Sequence, residues 1–291
     1  MNDLLIVGMA YFEVFVPPFP APAAGEEVFI DGMQLALGGA LNTASVAAAL
    51  GMPVSLCLPM GGGLVDHAVE KLAHELGIQL LPISSRDNPA ISLVFSDARD
   101  RSFVSTADLD ALITLERLPT TDWIHVPGLE EAARLAIPLA DARDKGAQVS
   151  VSGSWSPQQL SRLAAHRHPL WDLLILNEKE AQAACGDAQS APQQLAGVAR
   201  SVLVTRGSEG AFGVLDGYPL DVATPPVAVT DSTGAGDAFC AGLIAALQSG
   251  LPAEAAVQFA CRSAARLLQQ TGGLMTDARR MADLKEIVCK H

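Results

Sequence analysis

The residues best suited to chemistry in this sequence lie in one run, Asp-Ser-Thr-Gly-Ala-Gly-Asp-Ala-Phe, from Asp231 to Phe239. Its glycines precede an alanine-rich helical pattern, so free backbone N–H groups and the positive end of a helix dipole share a volume suited to an anion. Asp237 would repel a resting phosphate there. It is therefore predicted to be a general base that takes a proton from an alcohol, while the amides of Gly234, Ala235 and Gly236 stabilise a transferring phosphoryl group. The alternative is a tight glycine turn capped by Asp237.

A second glycine-containing stretch lies upstream, Gly38-Gly39-Ala40-Leu41-Asn42, and precedes the helical pattern Thr43 to Leu50. Together with the Asp231–Phe239 run, it resembles the two signatures of the ribokinase-like (PfkB) carbohydrate and nucleoside kinases, and the resemblance spans nearly the whole chain. It implies a three-layer α/β/α fold with a mainly parallel central sheet and a small β lid. It also implies an enzyme that uses ATP and Mg²⁺ to phosphorylate a hydroxyl, expected to be a primary alcohol, of a small sugar or nucleoside.

The resemblance also assigns roles to individual residues. Those expected at the acceptor substrate are Glu13, Gly38, Gly39, Asn42 and Asp237. Those expected at the nucleotide are Asn177, Thr205, Gly207, Thr233, Gly234 and Gly236. Asn177 and Glu180 would hold Mg²⁺ through water, and Asp231 with the loop at Gly272 would hold a monovalent cation such as K⁺. Because the transition state is expected to be loose, a carboxylate with an ordinary pKa of about 3.9 should serve as the base.

Several of these residues have a structural alternative. Glu13 stands where the family usually has Asp, and one more methylene moves the carboxylate by roughly 1.5 Å, so it is either a substrate ligand or a solvated loop charge. Asn42 could cap a helix. Asn177 and Glu180 could form a capping box, although the metal role is favoured because they follow an apolar strand. Thr205 and Gly207 also fit a plain turn.

The elements that must position these residues follow from the apolar pattern. Leu4 to Val7 is an unbroken apolar run, as in a strand buried on both faces of a parallel sheet. Further strands are predicted at Trp123 to Val126, Gln148 to Val151, Leu173 to Leu176 and Val202 to Thr205, alternating with helical patterns such as Glu130 to Lys145. Such alternation predicts a right-handed parallel sheet with ligands at the carboxyl ends of its strands.

Two segments are predicted to form the lid. Residues Val28 to Leu37 alternate loosely, and Ile91 to Ser96 and Ser102 to Ser105 flank a polar turn, Asp97 to Asp100, in a hairpin pattern. The prediction is a single domain, 1–291, with lid insertions at about 11–37 and 90–106. The exposed lid face is a candidate homodimer contact.

Composition limits the remaining possibilities. The formal net charge of −13 argues against a nucleic-acid-binding surface. The five cysteines show no spacing typical of zinc sites, and an odd number is typical of reduced, cytosolic thiols. The first apolar stretch is too short for a signal peptide or a membrane span. A cytoplasmic protein without membrane or nucleic-acid partners is therefore expected.

Other classes of function remain to be compared. A catalytically silent sugar- or nucleotide-binding or regulatory protein could keep this fold. The glycines of the Gly61-Gly62-Gly63 loop lack the family's usual spacing with an acid, which leaves the acceptor open. A nucleotide-binding oxidoreductase would place glycines directly after the first strand, whereas Gly8 is followed by Met-Ala-Tyr-Phe.

Overall fold

The computed structural model describes residues 3–20, 22–86, 89–96, 101–166 and 168–290. The turn predicted at Asp97 to Asp100 lies outside these residues. The strands are β1 (Leu4–Val7), β2 (Ala10–Val16), β3 (Gln34–Gly39), β4 (Val54–Met60), β5 (Gln79–Ser84), β6 (Ile91–Ser96), β7 (Arg101–Thr106), β8 (Trp123–Val126), β9 (Gln148–Ser152), β10 (Trp171–Asn177), β11 (Ala199–Thr205), β12 (Ala211–Leu215) and β13 (Tyr218–Val222).

The helices cover much of the remaining chain. They are α1 (Ala40–Ala49), α2 (Leu64–Leu76), α3 (Leu129–Arg134), α4 (Ala136–Asp144), α5 (Pro157–Leu163), α6 (Glu178–Cys185), α7 (Ala191–Gln194), α8 (Ala235–Gln248), α9 (Ala253–Leu267) and α10 (Ala282–Val288). Short 3-10 helices cover Leu109–Thr114, Gly207–Glu209 and Ala278–Met281.

The main sheet has nine strands in the order β13-β12-β11-β10-β9-β8-β1-β4-β5. Neighbours from β5 to β11 pair in parallel, and only the β11-β12-β13 end is antiparallel. Helices α1, α2, α8, α9 and α10 pack on one face, and α3 to α7 pack on the other. This confirms the predicted three-layer α/β/α architecture.

The apolar runs form central strands because each sheet face meets a layer of helices. In β10, Leu173 and Ile175 lie in the core under α8, whereas Leu174 and Leu176 lie in the opposite core. A strand covered on both faces favours apolar residues at successive positions, as in Leu173–Leu176. Since β1, β8, β9 and β10 are parallel, the loops that follow them meet at one edge of the sheet.

A separate four-stranded sheet forms the lid, in the order β3-β2-β6-β7. The β6-β7 pair is antiparallel, as predicted, and β2 pairs with β6 in parallel. The lid strand expected from Val28 begins only at Gln34, and it includes Gly38 and Gly39. Strand β2, which carries Glu13 in the middle of the sheet, was not recognised as a strand from the sequence.

One helix prediction is wrong in its extent. The pattern from Glu130 to Lys145 forms two helices that meet at Leu135. Pro138 accounts for the break, because its ring clashes with the carbonyl four residues earlier in a continuous helix. No helix in the described part of the chain is long and apolar enough to span a membrane.

Candidate active site

The N-terminus of α8 provides a group of backbone donors. Gly234 precedes the helix with a φ of 76°, a conformation that favours glycine, and a Cβ there would lie 2.6 Å from Gly273 Cα. The Ala235 N–H makes only a long bond, 3.4 Å, to the Ser232 carbonyl. Over the described residues, the N–H groups of Gly234 and Gly236 have no protein acceptor. These amides can therefore bind an anion.

Asp237 lies in the first turn of α8, three residues after the cap, so the alternative in which it caps the turn is wrong. Asn42 Nδ2 donates to Asp237 Oδ2, and Thr43 Oγ1 donates to Asp237 Oδ1, both at 3.1 Å. Burial raises the pKa of Asp237 to about 6, and the two hydrogen bonds oppose that shift only in part. The expected ordinary pKa is therefore wrong, and the carboxylate is a stronger base than a solvated one.

Asn42 donates a hydrogen bond to Asp237 and does not cap its own helix, α1. The residue before α1 is Gly39, with a φ of 67°, so the capping alternative for Asn42 is wrong. The Asn42 amide group donates to Asp237, while within the described residues its buried Oδ1 has no hydrogen-bond partner. The predicted contact of Asn42 with an acceptor hydroxyl remains a prediction.

Beside Asp237 lies a cavity of about 200 Å³ at the carboxyl edge of the main sheet. It brings together most residues predicted from the Asp231–Phe239 run and from the ends of β10 and β11. Its lining consists of Pro127, Ser152, Gly153, Ile175, Leu176, Asn177, Glu180, Thr205, Ser232, Gly234, Ala235, Gly236, Asp237 and Cys240. Among the residues that the structure describes, no Lys or Arg lines it, so the donors to an anion that these residues supply are chiefly backbone N–H groups.

Asn177 and Glu180 form the capping box that was the structural alternative. The Asn177 N–H donates to Glu180 Oε2 at 2.9 Å, and the Glu180 N–H donates to Asn177 Oδ1 at 2.9 Å. Both residues nevertheless line the cavity. The capping box therefore fixes the two side chains at the cavity wall, and it leaves the metal role as a prediction.

The same pair fits a hydrated metal ion better than a directly coordinated one. Glu180 is only 5% exposed, and burial raises the pKa of its carboxyl group. Gly153 makes room for it, because a Cβ at Gly153 would lie 2.1 Å from Glu180 Oε2. Within the described ranges, no group of three or more His, Cys, Asp or Glu side chains could hold a metal ion. Mg²⁺ commonly keeps several waters and uses one or two carboxylates, which suits this pair.

Asp231 ties the turn before α8 to the loop after α9. Its Oδ1 accepts from the Thr233 N–H at 2.9 Å and from Thr233 Oγ1 at 2.7 Å, and its Oδ2 accepts from the Gly272 N–H at 3.0 Å. The structure thus brings Asp231 and the Gly272 loop together. The monovalent cation at Asp231 and the contact of Thr233 with the nucleotide remain predictions.

The two residues predicted after β11 have different positions. Thr205 lines the cavity, and its hydroxyl donates a long 3.5 Å bond to the Leu176 carbonyl. Gly207 begins a 3-10 turn with a φ of 54° and is not among the lining residues. Its predicted contact with the nucleotide therefore depends on a ligand that extends beyond this cavity.

Glu13 packs against the glycines that precede α1. A Cβ on Gly38 would lie 2.4 Å from Glu13 Oε1, so glycine leaves room for this carboxylate. A Cβ on Gly39 would lie 2.4 Å from the Met9 carbonyl oxygen and 2.8 Å from Tyr11 Cδ2. The lid strand therefore meets the start of α1 closely, and the substrate roles of Glu13, Gly38 and Gly39 remain predictions.

Three features of the site were not predicted from the sequence. Thr43 was considered only as the start of a helical pattern, although it holds Asp237. Gly153 was not connected with Glu180. Glu131, one of two adjacent glutamates in α3, is buried near the site. Thr43 and Gly153 have no local signal, because each depends on a partner distant in sequence.

Comparison with known proteins identifies the family. Residues 18–277 match the pfkB family carbohydrate kinases. The chain therefore belongs to the pfkB family.

Its relatives include kinases with different acceptors. The chain is 26% identical to the "Uncharacterized sugar kinase YegV" of Escherichia coli, over 94% of this chain and 90% of the relative. It is 31% identical to the "Adenosine kinase" of Schizophyllum commune, over 72% of this chain and 67% of the relative. The structure of Arabidopsis thaliana ribokinase complexed with ribose and ATP has the same fold, with a TM-score of 0.75 and 20% identity, covering 98% of this chain and 99% of that one.

Proposed function

We propose that this pfkB kinase transfers the γ-phosphoryl group of ATP to a hydroxyl, a primary alcohol, of a small sugar or nucleoside, with Asp237 as the general base. One observation carries the proposal. The Asp237 carboxylate is held by two donors from α1 beside the amides of Gly234 and Gly236, which have no acceptor among the described residues. A base and an anion site in one cavity are the parts that phosphoryl transfer needs.

The proposed reaction uses these groups in sequence. The acceptor hydroxyl gives its proton to Asp237 as its oxygen attacks the γ-phosphorus in line. The bond between the γ-phosphorus and the β–γ bridging oxygen breaks, and ADP leaves with that electron pair. The amides of Gly234, Ala235 and Gly236 stabilise the charge on the transferring group. Asn177 and Glu180 would hold Mg²⁺ through water, and the bound ion would neutralise charge on the phosphates. The lid would exclude water and limit hydrolysis of ATP.

The remaining predicted residues complete the two binding sites. Thr205, Gly207 and Thr233 would contact the nucleotide, and Glu13, Gly38, Gly39 and Asn42 would contact the acceptor. A K⁺ ion at Asp231 would stabilise the turn before α8. The relatives include an uncharacterized sugar kinase and an adenosine kinase, which supports both a sugar and a nucleoside as candidate acceptors.

The test is ADP release from Mg·ATP against a panel of sugars, sugar acids and nucleosides, with and without K⁺. Asp237→Asn should lower kcat by about 10² or more with little change in ATP affinity, because it removes the base and keeps the shape. Asp144→Asn is the matched control, since Asp144 is an exposed residue at the end of α4.

The control should retain wild-type turnover. Near-wild-type turnover in Asp237→Asn would remove the base assignment. ATP binding without turnover on any acceptor would favour a catalytically silent binding or regulatory protein.

A further inference from the structure

A buried glutamate stands close to the site without an evident structural role. Glu131 lies in α3, just after the carboxyl end of β8, and is 7% exposed. Its neighbour Glu130 is a structural residue by contrast. Glu130 accepts hydrogen bonds from Arg134 at 2.8 Å and from Ser156 at 2.6 Å, and these bonds help to lower the pKa of Glu130.

Glu131 has no such partners. Over the part of the chain that the structure describes, no side chain donates a hydrogen bond to the Glu131 carboxylate, and its own backbone N–H is the donor it has. Burial, and secondarily the charge of Glu130, raises the pKa of Glu131, while Arg134 offsets this only in part because its guanidinium binds Glu130 and Asp110. A buried carboxyl group that accepts only from its own backbone N–H is poorly compensated for the loss of water, and such groups concentrate at functional sites.

The position of Glu131 connects it to the acceptor side of the site. A Cβ on Gly128 would lie 2.1 Å from Glu131 Oε2, so the carboxylate folds back onto the loop after β8. Pro127 of that loop lines the cavity that contains Asp237. On the lid side, Tyr11 lies close enough to Glu131 to sense its charge. Burial, and then the charge of Glu131, raise the pKa of the Tyr11 phenol.

Tyr11 in turn connects this region to the catalytic carboxylate. Its ring contacts the position of Gly39, directly before α1, and α1 carries Asn42, which binds Asp237. Glu13 lies on the same lid strand, two residues further along. Two carboxylates, Glu13 and Glu131, therefore approach the region between lid and sheet.

We propose that Glu131 is a specificity-determining residue that accepts a hydrogen bond from a hydroxyl of a neutral sugar or nucleoside and disfavours anionic acceptors. The inference rests on the proposed function and names its substrate class. A carboxylate binds a hydroxyl donor well, because a charged acceptor strengthens the bond. The same charge repels the carboxylate of a sugar acid or the phosphate of a sugar phosphate, so Glu131 would select by repulsion as well as by attraction.

The test is equilibrium binding, by calorimetry, of neutral sugars, nucleosides and the matching sugar acids and sugar phosphates to the full chain in the presence of a nonhydrolysable ATP analogue. The variant is Glu131→Gln, which keeps the shape and removes the charge. Glu130→Gln is the matched control, because it makes the same change at the neighbouring residue that binds Arg134 and Ser156.

Glu131→Gln should weaken binding of the preferred neutral acceptor by about tenfold or more and should reduce the preference over its acid analogue. Glu131→Gln should leave affinity for the ATP analogue unchanged. Glu130→Gln should change neither the affinity for the neutral acceptor nor the affinity for its acid analogue.

The inference is overturned if Glu131→Gln binds every acceptor as the wild type does, or if the wild type binds an anionic acceptor more tightly than its neutral analogue. Because the test measures binding and not turnover, it distinguishes failure of the Glu131 inference from failure of the proposed kinase function. If neutral acceptors bind in a Glu131-dependent manner but release no ADP from ATP, the kinase assignment is wrong and the role of Glu131 in binding stands.

Discussion

At the scale of single residues, the site depends on one carboxylate whose charge is costly. Asp237 is held by Asn42 and Thr43, yet burial raises its pKa to about 6. A base with a pKa nearer the working pH accepts a proton more readily than a solvated carboxylate. The environment that makes Asp237 useful is therefore the one that makes its ionised form unfavourable.

The pH dependence of activity should report this pKa. If Asp237 is the base, kcat/KM should fall as the pH drops below about 6, because protonation removes the acceptor of the hydroxyl proton. Steady-state kinetics between pH 5 and pH 8, roughly the range around this pKa, would show one acid limb. A limb near pH 4, the range of an ordinary carboxyl group, would contradict the raised pKa.

Asp237→Asn should lower activity but raise the free energy of unfolding at neutral pH. The folded pKa of Asp237 lies above its unfolded value of about 3.8, so ionisation destabilises the fold as the pH rises from about 4 to about 6. Above this window the penalty is on the order of 1–3 kcal/mol, reduced by partial exposure to solvent.

Asp237→Asn should therefore be more stable than the wild type at pH ~7 and of equal stability near pH ~4. Urea unfolding of both proteins across this range measures the difference. Asp144→Asn serves as the control and should give no such trend. A variant less stable than the wild type at neutral pH would show that the Asp237 carboxylate stabilises the fold.

Residues of the site differ in how far the sequence could predict them. Asp237, Asn42 and Glu180 were predicted because they lie in recognisable motifs. The bond between Asn42 and Asp237 could not be predicted, since it joins residues 195 positions apart. The motifs identify candidate residues, but only the packing of α1 against α8 shows that Asn42 and Thr43 bind Asp237.

At the scale of elements, the close approach of α1, α8 and α9 explains the geometry of the site. The buried faces of α1 and α8 are rich in alanine. Gly242 on α8 faces Ser263 on α9, and a Cβ there would lie 2.5 Å from Ser263 Oγ. Small residues let the helix axes come near one another. This approach brings the first turn of α1 to the first turn of α8.

A matched pair of glycine substitutions separates backbone requirements from ligand requirements. Gly234→Ala should destabilise the fold by about 1–3 kcal/mol, because it adds a side chain at positive φ and against Gly273. Gly236→Ala should leave stability unchanged or slightly higher, since a Cβ there meets no atom within 4 Å.

The same Cβ at Gly236 would occupy the cavity near the amides. Gly236→Ala should therefore raise the KM for ATP by about tenfold or more while the protein remains folded. Thermal unfolding and steady-state kinetics on both variants are the measurements. Equal loss of stability in the two variants would show that the open space at Gly236 is not preserved for a ligand.

The order of strands and helices was largely predictable from the sequence, but several boundaries and one lid strand were not. Strand β1 is apolar throughout, and so is the Leu173–Leu176 stretch of β10, which is a strong pattern. Strand β2 has no clear sequence pattern, because most of its residues are only half-buried and the prolines that follow it indicate an irregular segment. Its place depends on pairing with β3 and β6, which local sequence does not encode.

At the scale of the whole molecule, the site lies where the main sheet and the lid meet. The main sheet supplies loops from the carboxyl ends of its parallel strands, and the lid supplies Tyr11 and Glu13. The chain carries a formal net charge of −13, so the overall field does not attract ATP. If ATP is the phosphoryl donor, as proposed, local amides at α8 would provide the attraction, in agreement with a cavity that no Lys or Arg of the described residues lines.

The lid also carries a row of apolar side chains across its four strands. Each strand contributes one residue, and neighbouring residues in the row are paired, so all four share one face of the lid sheet. They are Leu35 on β3, Val14 on β2, Leu93 on β6 and Val104 on β7. Leu35 and Val104 are each 62% exposed. Exposed apolar patches of this kind are typical of association surfaces, which supports the predicted homodimer through the lid.

Light scattering at micromolar concentration should therefore detect a dimer, and Val104→Glu should weaken its association by about tenfold or more, because a charge would be buried at the contact. Ile137→Glu is the matched control, since Ile137 is an apolar residue on α4 that is 80% exposed and lies outside the lid. It should leave the dimer intact. A monomeric wild type, or equal effects of the two substitutions, would show that the apolar row on the lid does not join two copies of this chain.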